Sequence, residues 1–166
     1  MQEINNTSRL LLMRHGEAVA GAPDNQRRLS THGEQEVTLM ARWLADRVAS
    51  KESGQLRIIA SPYTRAQQTA DAVASALGGQ VETYEGITPD DSPNAVCDWL
   101  MAQPDSDTLL LVSHMPLLGE LTGVLTRGHA GFGVSFATAG VAELSADVWA
   151  SGCADLISMT DPRQLS

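Results

Sequence analysis

Arg14 and His15 follow directly on an apolar run, Leu10 to Met13, near the beginning of the chain. Such a run predicts a buried strand that ends where the guanidinium and the imidazole begin. In open α/β sheets, ligands bind at the carboxyl ends of the strands. A histidine in that position can act as a nucleophile, as an acid or base, or as a metal ligand. These two residues are therefore the first candidates for a functional site.

Polar side chains follow three later strand-like runs in the same way. The segment Ser61 to Arg65 comes after the second run, Glu85 after the third, and Ser113-His114 after the fourth. If the four strands are parallel, these groups face one crevice. The crevice would hold two guanidiniums, two imidazoles and a carboxylate, a set suited to binding and attacking a phosphoryl group. No Walker A sequence occurs, so a nucleotide P-loop is not the expected means of holding phosphate.

Composition excludes several other kinds of function. The net charge of −9 argues against a nucleic-acid partner, and it makes arginines gathered at one site a stronger indication of an anionic ligand. No apolar run approaches the length of a membrane span, and the start lacks a leader pattern, so a cytoplasmic protein without a membrane partner is expected. Cys97 and Cys153 have no C-x-x-C spacing, and the four histidines have no metal-ligand spacing, so neither a metal nor an organic cofactor is expected.

Strand-like and helix-like patterns alternate along most of the chain, and a helix is expected to open at Ser30/Thr31, where Thr31 and Glu34 have capping-box spacing. This alternation predicts a single domain over 1–166 with an α/β fold. The architecture expected is a three-layer sandwich, with a mostly parallel central sheet and helices on both faces, to which the tail adds mixed-sheet strands. The strands are expected at 9–13, 56–60, 81–84, 108–112, 141–144 and 155–159.

Three segments carry a resemblance to a known family. Leu12-Met13-Arg14-His15-Gly16-Glu17 resembles the signature of the histidine phosphatase superfamily. The segment Ser61 to Ala70 is similar to the second motif of that superfamily, and Val112-Ser113-His114 is similar to its third. The short length, the absence of a lid insertion and the segments Gly86 to Pro89 and Ser113 to Gly119 look most like the SixA-type phosphohistidine phosphatases.

The resemblance implies a phosphoglycerate-mutase-like fold in which His15 is the nucleophile and forms a transient phosphohistidine. Arg14, Arg65 and His114 would then surround the phosphoryl group. These roles are physically consistent, because flanking arginines lower the pKa of a histidine that has to be neutral to attack. The second ring nitrogen of His15 would need an acceptor, for which a backbone carbonyl is expected. Glu17 either orients Arg14 or His15, or faces solvent.

Glu85 is a candidate general acid, since many members of the superfamily use a glutamate after the third strand to protonate a departing oxygen. The surrounding Tyr84-Glu85-Gly86 does not fit the usual pattern, and a solvated loop carboxylate is the alternative. A departing imidazole can carry its own proton, so a phosphohistidine substrate makes less demand on an enzyme acid.

The favoured function is hydrolysis of phosphohistidine on a protein, a histidine phosphotransfer domain or another phosphocarrier, as a step in signal transduction. We expect a monomer that also accepts inorganic phosphate or its analogues in the site. One alternative is a small-molecule phosphomonoesterase or phosphoglycerate-mutase-like enzyme, which would need Glu85 as a working acid. The other is a non-catalytic phosphate-binding module.

Overall fold

A computed structural model describes residues 8–49, 56–104 and 108–165 of the chain. Within these ranges the strands are β1 (Ser8–Arg14), β2 (Leu56–Ala60), β3 (Val81–Thr83), β4 (Thr108–Ser113), β5 (Val141–Ala146) and β6 (Asp155–Thr160). The helices are α1 (Thr31–Ala49), α2 (Thr64–Leu77), α3 (Pro93–Met101), α4 (Leu117–Arg127) and the short α5 (Pro162–Leu165). Short 3-10 turns lie at Asp24–Gln26 and Ala130–Phe132.

The six strands form one sheet in the order β3-β2-β4-β1-β5-β6. The first four strands of this order are parallel to one another, whereas β5 runs antiparallel to both β1 and β6. All six residues of β4 are buried, as is usual for a parallel strand covered on both faces. The sequence prediction of an α/β fold with a largely parallel sheet and a mixed-sheet tail is therefore confirmed.

Successive residues of the central strands supply two separate core layers, because side chains alternate between the faces of a sheet. Leu10 and Leu12 of β1 pack with the apolar residues of α3 and α4. Leu11 and Met13 pack on the other face with those of α1 and α2. α1 and α2 thus lie on one face of the sheet, and α3 and α4 lie on the other.

Local signals account for most helix boundaries. Ser92 accepts a hydrogen bond from the backbone N–H of Ala95 (3.4 Å) at the start of α3, and Gly78 ends α2 in the left-handed conformation with φ 78°. α1 begins at Ser30/Thr31 as predicted, but its cap differs from the predicted one. Ser30, and not Thr31, is the capping residue, since its hydroxyl accepts the N–H of Gly33 at 2.9 Å. The capping-box assignment to Thr31 and Glu34 was therefore wrong.

A buried ion cluster joins β1, β5 and α1 away from the strand ends. Glu143 is almost fully buried, and its two oxygens accept hydrogen bonds from Arg9 Nε (3.0 Å) and Arg47 Nε (2.8 Å). Burial alone would raise the pKa of Glu143, but the bonds and charges of the two arginines outweigh it and the pKa lies below its ordinary value. Within the described parts of the chain, none of the helices has the length and apolar character that crossing a bilayer demands.

Candidate active site

The ends of β1, β2 and β4 lie side by side and bring the predicted site residues together. His15 N–H donates to the carbonyl of Ser113 (3.1 Å), and Ser61 N–H donates to the carbonyl of Val112 (3.0 Å). These backbone bonds continue the sheet past its regular strands, so the residues that follow each strand stay adjacent. His15, Arg65 and His114 are all buried there, with 8%, 5% and 1% of their surfaces exposed.

Both ring nitrogens of His15 have partners that define its tautomer. Nδ1 lies 2.7 Å from the carbonyl oxygen of Gly16, and Nε2 lies 3.2 Å from Nε of Arg65. A carbonyl oxygen can only accept a hydrogen bond and a guanidinium N–H can only donate one. These partners therefore place the proton on Nδ1 and leave a lone pair on Nε2. The backbone acceptor expected for the second nitrogen is the carbonyl of Gly16.

The surroundings of His15 keep the imidazole uncharged at neutral pH. Its pKa is lowered from 6.5 to about 4, mainly because burial penalises the charged form, and the charges of Arg65 and Arg14 add to this effect. The carbonyl of Gly16 acts in the opposite direction, since it accepts a hydrogen bond from the ring. A neutral imidazole with a free lone pair is the form in which histidine is a nucleophile.

Arg65 lies in the first turn of α2, and each of its three guanidinium nitrogens has a hydrogen-bond partner. Besides the Nε bond to His15, Nη1 donates to the carbonyl of Asp24 (2.8 Å) and Nη2 contacts the carboxylate of the same residue (3.3 Å). The guanidinium also lies over the ring of Tyr63, 5.1 Å from its centroid. Asp24 is exposed and is held on its other oxygen by Arg27 (2.9 Å). An exposed loop therefore borders the buried arginine.

His114 faces the ring of His15, with 5.1 Å between the ring centroids. Its Nε2 lies 2.8 Å from the hydroxyl of Ser61, which also accepts the backbone N–H of Tyr63 (3.2 Å). Because that N–H already donates to Ser61, the serine hydroxyl can donate its own proton to His114. The pKa of His114 is lowered to about 2, chiefly by burial and then by His15 and Arg65. Its Nδ1 is buried without a hydrogen-bond partner among the described residues.

Arg14 is the last residue of β1 and directly precedes His15. Its Nη1 donates to the carbonyl of Phe136 (2.8 Å), and its Nε is buried with no hydrogen-bond partner in the described ranges. Burial lowers the pKa of Arg14, while the negative charge of Glu36 raises it. Guanidinium groups stay protonated in proteins, so Arg14 remains a cation next to His15.

Glu17 and Glu85 stand apart from this cluster. The carboxylate of Glu17 is exposed and accepts a hydrogen bond from the hydroxyl of Ser30 (2.8 Å). Glu85 is exposed on the turn that follows β3. In the part of the chain that the structure describes, neither carboxylate forms a hydrogen bond or ion pair with His15, Arg65 or His114.

Several residues that support the site were given no role by sequence reasoning: Asp24, Glu36, Ser61 and Thr69. The hydroxyl of Thr69 accepts the N–H of Gly16 (3.1 Å) and donates to the carbonyl of Arg65 (2.8 Å). With the His15 contacts to Gly16 and Arg65, this closes a ring of hydrogen bonds around the imidazole. Ser61 and Thr69 lie inside the second motif, close to Arg65 in the sequence. This proximity could have identified both residues as neighbours of the site.

The arrangement has the parts needed to bind an anion and to attack it. Two guanidiniums and two buried, neutral imidazoles lie together, and one of the imidazoles has its lone pair on Nε2. Over the described ranges, no group of three or more His, Cys, Asp or Glu residues could hold a metal ion. Guanidinium forks match the oxygens of a phosphoryl group.

Comparisons with known proteins find similar chains. The model of the histidine phosphatase superfamily (branch 1) matches residues 10–88. The phosphohistidine phosphatase SixA homolog of Haemophilus influenzae is 37% identical over 124 residues, which cover 70% of this chain and 76% of the relative. Phosphohistidine phosphatase SixA of Escherichia coli is 32% identical over 148 residues, covering 86% and 88% of the two chains.

The fold is also similar to that of a solved SixA structure. A solved structure of the protein histidine phosphatase SixA complexed with tungstate superposes with a TM-score of 0.82 at 30% identity, over 95% of this chain and 99% of that one. The phosphoglycerate-mutase-like architecture expected from the sequence is confirmed. The motifs around His15, Arg65 and His114, the relatives and the fold lead to one conclusion: this chain belongs to the histidine phosphatase superfamily.

Proposed function

We propose that this chain is a phosphohistidine phosphatase that removes phosphoryl groups from a histidine of another protein through a covalent intermediate on His15. The observation that carries the proposal is the orientation of the His15 ring. Its Nδ1–H is held by the carbonyl of Gly16, so the lone pair lies on Nε2, beside a buried guanidinium. The SixA relatives support the same reaction.

In the first step, Nε2 of His15 attacks phosphorus and the P–N bond of the substrate breaks. The departing imidazole takes both electrons of that bond and leaves in neutral form, provided that its other ring nitrogen is protonated. Arg65 and Arg14 neutralise the oxygens of the phosphoryl group, and the Nδ1–H of His114 donates to one of them. Phosphoryl transfer requires mostly such positioning and charge stabilisation from a protein.

In the second step, water attacks phosphorus and the P–Nε2 bond breaks. While it is phosphorylated, the His15 ring carries a positive charge, because Nδ1 keeps its proton on the carbonyl of Gly16. The ring therefore leaves as a neutral imidazole without an external acid. Inorganic phosphate is released and the enzyme returns to its starting state.

The substrate that we propose is a phosphorylated histidine phosphotransfer domain or phosphocarrier protein. A run of exposed residues from 19 to 26 borders the guanidinium of Arg65, so a side chain on a protein surface could reach the site there. Cys97 and Cys153 are free thiols, in keeping with a reducing compartment, and we propose a cytoplasmic monomer. Inorganic phosphate and its analogues would occupy the same place as the phosphoryl group.

The test uses a histidine phosphotransfer domain that carries ³²P-phosphohistidine. Wild-type protein should release labelled phosphate and should transiently carry an alkali-stable, acid-labile label. The His15→Ala variant should do neither. Absence of label on the wild type, together with retained binding of tungstate, would instead identify a phosphate-binding module.

A second arm distinguishes the substrate classes. Glu85→Gln should leave turnover of phosphohistidine unchanged, because Glu85 is exposed and makes no hydrogen bond or ion pair to the site within the described residues. If phosphate esters are turned over faster than phosphohistidine, and Glu85→Gln abolishes that activity, the protein is a small-molecule phosphomonoesterase with Glu85 as its general acid.

A further inference from the structure

Glu36 of α1 contacts the same peptide group that holds the nucleophile. The carbonyl of the Gly16–Glu17 peptide accepts the Nδ1–H of His15 at 2.7 Å. The N–H of that peptide, on Glu17, donates to Oε1 of Glu36 at 3.0 Å. A carboxylate and an imidazole are therefore joined through the two ends of one amide.

An amide in this position transmits charge, because its C–N bond has partial double-bond character. A carboxylate bound to the N–H shifts electron density towards the carbonyl oxygen, and hydrogen bonds in series strengthen one another in a low-dielectric interior. The bond from the Nδ1–H of His15 to that oxygen is strengthened in turn. The effect is largest when His15 is phosphorylated, since the ring is then positively charged.

The carboxylate of Glu36 is built into the fold. Only 12% of its side chain is exposed, and the hydroxyl of Thr138 lies 3.0 Å and 2.8 Å from its two oxygens. His32 lies 3.5 Å from Oε2 at the surface. Glu36 thus has a fixed position, and one oxygen remains directed to the backbone of Glu17.

Close packing between the loop and α1 makes this geometry possible. A Cβ on Gly16 would lie 2.7 Å from Cγ2 of Val37 and 2.8 Å from the carbonyl oxygen of Gly33. A Cβ on Gly33 would collide with the carbonyl oxygen of Glu17. Glycine at both positions therefore lets the peptide that follows His15 lie directly against the first turns of α1, where Glu36 can reach it.

We propose that Glu36 is a positioning residue that acts on His15 through the Gly16–Glu17 peptide, orients the ring and stabilises its charged, phosphorylated form. This role rests on the proposed function, in which His15 accepts the phosphoryl group. It differs from a role in binding phosphate: a carboxylate near the site repels the anion, so its removal should not weaken substrate binding.

The test compares Glu36→Gln, which keeps an oxygen acceptor without the charge, with Glu36→Leu, which removes both. Phosphoramidate, a small compound with a P–N bond, serves as donor. We expect kcat to fall about 10-fold in Glu36→Gln and about 100-fold in Glu36→Leu, because a small misplacement of a reacting group can cost about 100-fold in rate. KM should stay the same or fall. Glu34→Gln, an exposed carboxylate on the same helix, is the matched control and should match the wild type.

The Nδ1–H proton resonance of His15 in the unliganded protein is the second readout, and it does not depend on turnover. It should move upfield in Glu36→Gln as the hydrogen bond weakens. An unmoved resonance, or a change confined to KM, would overturn the proposal. If Glu36→Leu does not fold, the isosteric Glu36→Gln and its resonance decide the question. If wild-type protein has no phosphatase activity, the proposed function fails while the resonance still tests the link between Glu36 and His15.

Discussion

Arg65 donates its Nε–H to Nε2 of His15 at 3.2 Å, so the lone pair proposed to attack phosphorus accepts a hydrogen bond from the guanidinium. The contact holds the ring in one orientation before substrate arrives, and it also excludes a proton from Nε2 because a guanidinium cannot accept one. When a phosphoryl group enters, this donor becomes available to its oxygens. In the proposed reaction, one side chain therefore orients the nucleophile and then binds the group that the nucleophile attacks.

Replacement of Arg65 by alanine should reduce kcat on phosphohistidine by roughly 10²- to 10³-fold, the usual loss when one electrostatic donor at a reacting group is removed. Arg65→Lys should recover only part of this loss, because lysine keeps the charge but lacks the planar fork. Arg42→Ala, an exposed arginine of α1, is the control. A near-normal rate for Arg65→Ala in single-turnover measurements would remove Arg65 from the site.

His15 should titrate far below an ordinary histidine. Its pKa is lowered from 6.5 to about 4, so the neutral ring is the dominant form at pH 5 and above, and it is lost as the pH falls through about 4. Between pH 6.5 and about 4 the folded state therefore binds fewer protons than the unfolded state. The free energy of unfolding falls as the pH drops through this range. NMR titration of the imidazole, with the chain in urea as reference, measures the shift. A midpoint near 6.5 in the folded protein would contradict the buried, arginine-flanked site.

The hydroxyl of Thr69 should matter more than that of an otherwise similar threonine. Thr69 and Thr122 are both buried in helices and both donate to the carbonyl four residues earlier, on Arg65 and Leu118. Only Thr69 also accepts a loop N–H, from Gly16. Thr69→Val leaves that buried donor unsatisfied, which costs about 1–3 kcal/mol, whereas Thr122→Val removes only a redundant bond.

Chemical denaturation and kcat should therefore both separate Thr69→Val from Thr122→Val. We expect a loss in kcat of about 10-fold or more for Thr69→Val alone, because small displacements of a reacting group are costly. Thr69→Ser keeps the hydroxyl and should restore kcat to near the wild-type value. Equal effects of the two valine variants on kcat would mean that the Gly16 contact has no role in the reaction.

Glu143 should contribute to stability far from the reaction. Glu143→Gln leaves Arg9 and Arg47 without their buried counter-charge and should lower the free energy of unfolding by about 3 kcal/mol. Glu82→Gln breaks a partly exposed pair with Arg57 and should cost less than about 1 kcal/mol. Because the pKa of Glu143 is depressed, its stabilisation is present above about pH 4.5 and is lost as the pH falls through the lowered value. Denaturant melts of the two variants at neutral pH provide the comparison, and equal losses would refute it.

Hydrophobic patterning was sufficient to predict the strands and the end of the sheet at which the polar groups meet. The runs at 9–13, 56–60 and 108–112 favoured strands, which the structure confirms, and Arg14, Arg65 and His114 became candidates because they follow these runs. The motifs then identified the chemistry. Hydrophobic patterning could not predict the contacts between distant segments. The position of a loop against a helix depends on tertiary packing and not on local propensity.

Glu36 and Ser30 illustrate this limit. On the sequence, Glu36 is one of two glutamates in α1, and the approach of the loop at Gly16 places it beside the backbone of Glu17. Ser30 and Thr31 both have side chains that can cap a helix. The path of the preceding chain determines which of the two hydroxyls accepts the N–H of Gly33, and in the structure it is that of Ser30. In both cases the residue type was known from the sequence, but the group to which its side chain bonds could not be predicted from it.

The segment that precedes β5 holds the backbone of Arg14 and His15. Ala139 N–H donates to the carbonyl of His15 at 3.0 Å, and Gly140 accepts the N–H of Arg14 at 3.0 Å. Division of the chain between β3 and β4 would leave Arg14, His15 and Arg65 in one piece. Ala139 and Gly140, which hold the backbone of His15 and Arg14, would lie with His114 in the other piece. Neither half would hold the complete site, so neither would be an enzyme. Turnover of a P–N donor would then show that the two halves had reassembled, which suits the chain to use as a split-protein reporter.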